Sequence, residues 1–289
     1  MTVLHEGTPE EAGFLPERLA LIRERVNSWI ESGTTASLVA LVARRGVIAM
    51  HEAFGDLTHE PDSPPLQIDS VYPVSSLAKP VTATAVMMLV EDGLVSLNRP
   101  VVEYIPELCG KGVDQILVRH LLTHTSGFDE EQMNAFITQR LSKRLELPPL
   151  EETEHSRVRL VLNAIYPADP VRGPGELMVY CNQGYALLGE IVRRTSGQAF
   201  EGFARERIFE PLGMLDSSFR LEERFDGRFV KRGPDRPFTE GTPVNLDDPA
   251  WNDVPWGYGG LLSNARDLAV FAQAFLNGGI YGDFRLLSR

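Results

Sequence analysis

The octapeptide SLAKPVTA, residues 76–83, places a lysine three positions after a serine, where a loop is predicted to enter a helix. Residues three apart on the first helical turn share a face, so we expect the Lys79 amine beside the Ser76 hydroxyl. The positive potential of a helix N-terminus favours a neutral lysine that can accept the serine proton. The spacing is therefore typical of a nucleophilic serine activated by a lysine. The alternative, which the tetrapeptide alone favours, is an N-capping serine with a solvated lysine.

The triplet Tyr180-Cys181-Asn182 is the second motif. In extended backbone, alternate side chains point the same way, so Tyr180 and Asn182 would share one side while Cys181 points into packing. A phenol can move protons, and an amide can hold a substrate carbonyl or orient a lysine. We expect Cys181 itself to be a small buried hydrophobe rather than a nucleophile.

Further segments surround the two motifs, namely LNRPV at 97–101, VRHLLTHTSG at 118–127, NQGYALLG at 182–189, PLGM at 211–214 and GGLLS at 259–263. With Ser76-x-x-Lys79 and Tyr180-x-Asn182, they make the chain resemble the serine β-lactamase-related superfamily. The class C-like branch of that superfamily includes penicillin-binding proteins, D-peptidases, family VIII carboxylesterases and acyltransferases. The similarity runs from the N-terminal helix to the last residue, in the family's order.

The resemblance implies a role for each residue of the two motifs. Ser76 would be the acyl-accepting nucleophile, with its backbone N–H as one oxyanion donor, and Lys79 would be the activating base. Tyr180 would shuttle a proton to or from the leaving group. Asn182 would position Lys79 and the substrate. The superfamily needs no histidine base, so we expect His120 and His124 to be structural.

Aromatic residues precede the Gly259-Gly260 pair. Trp251, Trp256 and Tyr258 could wall an acyl pocket. We predict that Trp256 and Tyr258 bind substrate together with Gly260. Simple packing of the aromatic side chains is the equally favoured alternative.

The resemblance also implies an α+β, β-lactamase/transpeptidase-like fold, with an antiparallel sheet flanked by helices and a mostly helical lobe. A helix from Pro16 and a hairpin of 37–43 and 47–54 are predicted near the start, followed almost only by helices. Residues 1–75 would then hold the N-terminal helix and hairpin of an α/β lobe, and residues 76–289 the helical lobe with both motifs.

The family's third motif, Lys-Thr-Gly or His-x-Gly on a strand beyond GGLLS, has no counterpart in this sequence. The residue after that glycine supplies the second oxyanion N–H, and losing one such donor typically costs about 2.7–4 kcal/mol. We therefore expect a chain truncated at its C-terminus, with the last sheet strands missing. The exposed hairpin edge would then favour self-association.

Composition limits the other possibilities. The 289 residues are 43% hydrophobic and 24% charged, which suits a packed domain, and the net charge of −12 disfavours nucleic acid. Cys109 and Cys181 cannot form a disulfide framework, and no Cys/His cluster has zinc-ligand spacing, so we expect neither metal nor cofactor. No apolar run reaches the roughly 18 residues of a membrane span. Without an export signal, a cytoplasmic location is expected.

These observations favour a serine hydrolase that forms an acyl-enzyme on Ser76 from a small ester or amide. A carboxylesterase leads, because the expected location disfavours the cell-wall and antibiotic substrates of a D-peptidase or β-lactamase. A non-catalytic fragment or binding scaffold is the alternative from another class.

Overall fold

Many helices and a few short strands make up the computed structural model, which describes residues 2–143, 145, 147–231 and 247–288. The α-helices are α1 (Pro9–Ala12), α2 (Pro16–Glu31), α3 (Ala78–Glu91), α4 (Val118–Leu122), α5 (Glu130–Leu141), α6 (Ser156–Ile165), α7 (Asn182–Ser196), α8 (Phe200–Ala204), α9 (Glu210–Leu212), α10 (Pro249–Asn252) and α11 (Ala265–Leu276). The strands are β1 (His5–Glu6), β2 (Ser37–Arg44), β3 (Val47–Gly55), β4 (Tyr72–Pro73), β5 (Leu262–Ser263), β6 (Ile280–Tyr281) and β7 (Phe284–Arg285). A 3₁₀ turn at Ser75–Leu77 leads into α3.

The predicted hairpin is confirmed, with each strand one residue longer than expected. Its two-residue turn, Arg45 and Gly46, has φ values of +56° and +84°. A two-residue loop whose residues both have positive φ matches the right-handed twist of the strands, and glycine adopts such a φ without steric cost.

The elements that follow the hairpin are mostly helices, as predicted. Helix α5 was not predicted. Only Met133 and Ile137 of its residues are buried, so the apolar stripe is too narrow to stand out from the sequence. The β6–β7 hairpin near the end of the chain was also not predicted; its strands are two residues each.

One packing unit consists of the described residues of 1–74, 209–253 and 262–289. It is built on a three-stranded sheet in the order β1-β3-β2, in which β2 and β3 are antiparallel and β1 joins β3 in parallel. Helix α2 packs on β3 and α11 packs on β2. Among the described residues, β2 has a strand on one side only.

The other packing unit consists of the described residues of 75–208 and 254–261. Helix α3 packs against α7 and α8, while α4 and α5 also contact α7. Helix α7 is therefore the centre of this unit, and it is buried continuously from Gln183 to Arg193. The buried Arg193 pairs with Glu190 and reaches Glu151, which fastens the 151–154 segment to α7.

The domain division predicted from the sequence, 1–75 and 76–289, stays a prediction. Along the chain, one boundary between the packing units falls between residues 74 and 75, close to the predicted one. Further boundaries fall at 208/209, 253/254 and 261/262. The additional boundaries arise because residues 209–253 and 262–289 pack with the N-terminal part of the chain.

No helix in the described part of the chain combines the length and the apolar composition that a membrane crossing requires. The cytoplasmic location remains a prediction.

Candidate active site

The turn that carries Ser76, the predicted nucleophile, lies where the sequence predicted it, at the entry to α3. Ser75 has a φ of +49°, an uncommon value for a residue other than glycine, and begins the 3₁₀ turn that carries Ser76. Ser76 is exposed, whereas Lys79, one turn further along, is only 5% exposed. The alternative of a solvated lysine is therefore wrong, because the side chain is held inside the protein.

Three oxygen atoms surround the amine of Lys79. Its Nζ lies 3.1 Å from Ser76 Oγ, 2.7 Å from Asn182 Oδ1 and 2.8 Å from the backbone oxygen of Tyr258. Each of these atoms can accept a hydrogen bond from an amine. Lys79 is thus fixed in position from three sides, and one of them is the predicted nucleophile.

Burial lowers the pKa of the Lys79 amine from its ordinary value, because an ammonium ion loses hydration inside the protein. Nearby Tyr180 and the carboxylate of Glu130 act in the opposite direction without cancelling the effect. The neutral amine is therefore populated at a lower pH than for a solvated lysine.

Tyr180 completes the group around Ser76, with 2.7 Å between its phenol oxygen and Ser76 Oγ. The Lys79 Nζ lies 4.6 Å from the centre of the Tyr180 ring. Hence Ser76, Lys79 and Tyr180, which the sequence suggested as a catalytic set, lie within direct contact of one another.

His124 contacts the ring of Tyr180 and the backbone next to it. Its ring centre lies 4.5 Å from that of Tyr180, and its Nδ1 accepts a hydrogen bond from the Cys181 N–H at 3.2 Å. Burial lowers the pKa of the His124 imidazole. His120 similarly accepts a hydrogen bond from the Leu117 N–H through Nδ1. These contacts support the structural role expected for both histidines.

Cys181 is buried, as predicted, with 1% of its surface exposed. Its thiol donates to Gln183 Oε1 at 3.1 Å, and burial raises its pKa to about 12. Since a thiolate is the nucleophilic form, this cysteine is inert at neutral pH.

Asn182 is the first residue of α7, and both ends of its amide are hydrogen-bonded. The oxygen accepts from Lys79, while Nδ2 donates to Glu130 Oε1 at 2.9 Å. The backbone N–H of Asn182 donates to Glu130 Oε2 at 2.6 Å. Sequence analysis missed Glu130. Asp129 caps the N-terminus of α5, where its side chain accepts a hydrogen bond from the Gln132 N–H, and such a residue indicates where a helix begins. It does not indicate the direction in which Glu130 points.

The residues predicted to bind substrate occupy different environments. Tyr258 offers its backbone oxygen to Lys79, whereas Trp256 is 4% exposed and its ring packs 5.3 Å from that of Tyr258. Gly260 lies in a tight turn, where a Cβ atom would come within 2.5 Å of the Val254 oxygen. The burial of Trp256 is what simple packing predicts, and substrate binding by these three residues stays a prediction.

Metal ligation has no grouped candidate residues in the part of the chain that the structure describes. Within the described ranges, no three His, Cys, Asp or Glu side chains are placed so that they could hold one ion.

The contacts among Ser76, Lys79 and Tyr180-x-Asn182 form a Ser–Lys–Tyr group of the kind that the resemblance implies. The chain belongs to the beta-lactamase family, whose model matches residues 20–286. The predicted family and the α+β, β-lactamase/transpeptidase-like fold are thereby confirmed.

Individual relatives carry different names. The chain is 29% identical over 250 residues to penicillin-binding protein 4 of Amycolatopsis lactamdurans, a match that covers 81% of this chain and 58% of that protein. It is 28% identical over 259 residues to esterase EstB of Burkholderia gladioli, covering 84% and 62%. The structure of EstCE1, a hydrolase with promiscuous acyltransferase activity, superposes with a TM-score of 0.74 at 21% identity, covering 91% and 73%. The chain therefore spans about three fifths of the length of these two sequence relatives.

Proposed function

We propose that this chain carries the nucleophilic machinery of a serine hydrolase and that Ser76 forms an acyl-enzyme. The contact of Ser76 Oγ with both Lys79 Nζ and the Tyr180 phenol supports this proposal most directly. A serine hydroxyl is a weak nucleophile until a neighbouring base takes its proton. Here two groups able to take or return a proton lie within hydrogen-bond distance of it.

The contacts of Lys79 suit a neutral base. A neutral amine has two N–H donors and one lone pair, and the oxygens of Asn182 and Tyr258 can accept both N–H groups. The lone pair is then directed at the hydroxyl of Ser76. In the proposed acylation, Ser76 Oγ bonds to the substrate carbonyl carbon as its proton moves to Lys79.

Tyr180 suits the return of that proton. As the bond between the carbonyl carbon and the leaving group breaks, Lys79 and Tyr180 pass the proton to the leaving group. A water molecule then attacks the acyl-enzyme, releases the acid and restores the Ser76 hydroxyl. The 2.7 Å contact between the Tyr180 and Ser76 oxygens supports this short proton path.

A carboxylesterase is the activity that we favour. Exposed apolar side chains flank both motifs: Leu77 follows the nucleophile, and Leu177 and Met178 precede Tyr180. Such side chains suit an ester with an apolar acyl group, and one relative is named an esterase. A D-peptidase or β-lactamase is the second candidate, supported by the relative named a penicillin-binding protein.

Labelling with a fluorophosphonate tests whether Ser76 is a nucleophile. The probe phosphonylates an activated serine with loss of fluoride, and intact-mass analysis with peptide mapping locates the adduct. We expect one adduct on Ser76, none in Ser76→Ala, and full labelling in Ser142→Ala, which alters an exposed serine at the end of α5. Absence of an adduct on Ser76 would contradict the proposal and favour the alternative of a binding scaffold.

Two chromogenic substrates separate the candidate activities. A short-chain nitrophenyl ester and a chromogenic cephalosporin are compared at equal enzyme concentration, each with Ser76→Ala as the control. We expect Ser76-dependent turnover of the ester to exceed that of the cephalosporin. The reverse order would favour the β-lactamase or D-peptidase.

We further propose that the free side of β2 mediates self-association. That strand has a strand neighbour on one side only among the described residues, and such edges can pair with a second chain. Sedimentation velocity over a hundredfold range of about 1–100 µM is the test. We expect a concentration-dependent dimer, and a monomer throughout would contradict it.

A further inference from the structure

The first two turns of α5 hold the beginning of α7 through two pairs of polar side chains. Glu130 and Asn134, four residues apart and thus on the same face of α5, contact consecutive residues of α7. Glu130 accepts hydrogen bonds from Asn182, and Asn134 Oδ1 accepts one from Gln183 Nε2 at 2.7 Å. The two pairs resemble each other chemically, but only the first includes a residue that contacts Lys79.

The carboxylate determines which way the amide of Asn182 points. An ionised carboxylate only accepts hydrogen bonds, so it selects the orientation in which Nδ2 faces Glu130. The amide oxygen must then face Lys79, where it accepts a hydrogen bond. In the reversed orientation Nδ2 would face the Lys79 amine, and the oxygen would face the carboxylate. Glu130 thus disfavours an arrangement that would leave Lys79 without this acceptor.

We propose that Glu130 is a positioning residue, which fixes the Asn182 amide and through it holds the Lys79 amine against Ser76. This inference rests on the proposed role of Ser76 and Lys79 in acyl transfer. Glu130 touches Asn182 rather than the reacting oxygen, and its contribution is to orient the group that orients the base. Misplacing a reacting group by about 1 Å can cost about a hundredfold in rate, so such a contribution is measurable.

Glu130 also acts on Lys79 through its charge. The groups that face Lys79 are Tyr180, Tyr185, Tyr258, Cys181, His124 and Glu130. Burial raises the pKa of the phenols of Tyr185 and Tyr258 and of the Cys181 thiol, and it lowers the pKa of His124. Those four groups are therefore neutral near pH 7. The negative charge of Glu130 stabilises the ammonium form of Lys79, so removing that charge should lower the pKa of Lys79.

Three variants distinguish the effect of the position of the Glu130 carboxylate from that of its charge and from that of the packing of α5 on α7. Glu130→Gln keeps the shape but removes the charge and one of the two acceptors. Glu130→Asp keeps the charge on a shorter side chain. Asn134→Ala removes the neighbouring contact to Gln183 from an exposed position and is the matched control for the docking of α5 on α7.

Titration of Lys79 by NMR gives a readout that does not depend on turnover. The chain contains four lysines, so labelling with lysine that carries ¹³C at Cε yields few signals, and Lys79→Arg identifies the one from Lys79. We expect the midpoint of that signal to move to lower pH in Glu130→Gln and to stay at the wild-type value in Glu130→Asp and Asn134→Ala. An unchanged or higher midpoint in Glu130→Gln would overturn the proposal, as would equal shifts in all three variants.

Ester hydrolysis measures the positioning itself. We expect kcat/KM to fall by about tenfold to a hundredfold in Glu130→Gln, with its acidic limb moved to lower pH, and by less than threefold in Asn134→Ala. Equal losses in these two variants, with unmoved limbs, would show a purely structural role and overturn the proposal. If Glu130→Gln does not fold, Glu130→Asp is the deciding variant. We expect its kcat/KM to be reduced, with the acidic limb of the pH profile unchanged. A wild-type kcat/KM in this variant would overturn the proposal.

Failure of the proposed function is recognised separately. If the wild-type chain shows no turnover that depends on Ser76, the hydrolase proposal fails. The NMR titration still reports whether Glu130 controls the protonation of Lys79.

Discussion

The backbone oxygen of Tyr258 accepts a hydrogen bond from the Nζ of Lys79 at 2.8 Å, across 179 residues of sequence. A carbonyl oxygen cannot lose its acceptor capacity through a change of rotamer or protonation. The position of the lysine amine therefore follows the position of the turn that contains Tyr258. The position of the Lys79 amine consequently depends on the packing of residues 254–261 as well as on α3.

Replacing Tyr180 by Phe removes the phenol oxygen but keeps the ring that packs against His124. We expect kcat for a nitrophenyl ester to fall by about 10²–10⁴-fold, the usual contribution of a positioned acid or base. The melting temperature should stay within about 2 °C of the wild-type value, because the exposed hydroxyl contributes little to stability. A variant with wild-type kcat would exclude Tyr180 from proton transfer.

The pH dependence of ester hydrolysis should report the protonation of Lys79. Only the neutral amine can accept the serine proton, so kcat/KM should rise with pH as Lys79 loses its proton. Because burial lowers the pKa of Lys79, the midpoint of this rise should lie below 10.5, the ordinary value for a lysine. Initial rates across the pH range of stability measure it, and a rate independent of pH would argue against lysine as the base.

The turn at Gly260 should tolerate no side chain. A Cβ atom there would lie 2.5 Å from the Val254 oxygen and 2.6 Å from the Trp256 nitrogen, whereas at Gly259 the nearest heavy atom is 4.0 Å away. Gly260→Ala should therefore destabilise the protein by about 1–3 kcal/mol and reduce kcat by moving the Tyr258 oxygen. Gly259→Ala is the matched control and should change neither; denaturant unfolding and ester kinetics are the measurements. Equal behaviour of the two variants would contradict this account of the turn.

Asp267 lies in the packing unit built on the three-stranded sheet. It should make the free energy of unfolding depend on pH. Burial raises the pKa of this carboxyl to about 6 although Ser217 and the Asp216 N–H donate to it. The folded state therefore binds more protons than the unfolded state between about pH 4 and 6, and the contribution of Asp267 to stability decreases as the pH rises through that range.

Relative to Asp267→Asn, the wild-type protein should lose up to about 3 kcal/mol of unfolding free energy between pH 4 and pH 7. Urea unfolding of both proteins at several pH values measures this difference. A constant difference between them would show that the carboxyl does not titrate in this range.

Local patterns in the sequence were sufficient where both partners lie close together in the chain. Ser76 and Lys79 are one helical turn apart, so their contact follows from helix geometry once a helix begins there. The alternation along Tyr180-Cys181-Asn182 likewise predicted a buried Cys181 between two side chains that face the site. In the same way, a glycine, Gly46, between the two strand-like runs indicated the hairpin, and its φ is +84°.

The contacts that complete the site have no such local signature. Glu130 lies 52 residues from Asn182 in sequence, on a helix with a narrow apolar stripe, and nothing in the spacing relates the two. The oxygen of Tyr258 belongs to the backbone, which every residue type shares. For Trp256, the sequence left two roles open, substrate binding and core packing, and the burial of its side chain favours packing.

The sequence by itself therefore determined the family and predicted Ser76, Lys79 and the Tyr-x-Asn motif as the site, because these depend on residue types at short, regular spacings. Only the tertiary structure decided how Lys79 is buried, which three oxygens surround its amine, and that Glu130 orients Asn182. Hydrogen bonds between distant segments and the loss of hydration on burial both arise from packing. Those two effects set the position of the Lys79 amine and the pH at which it is neutral.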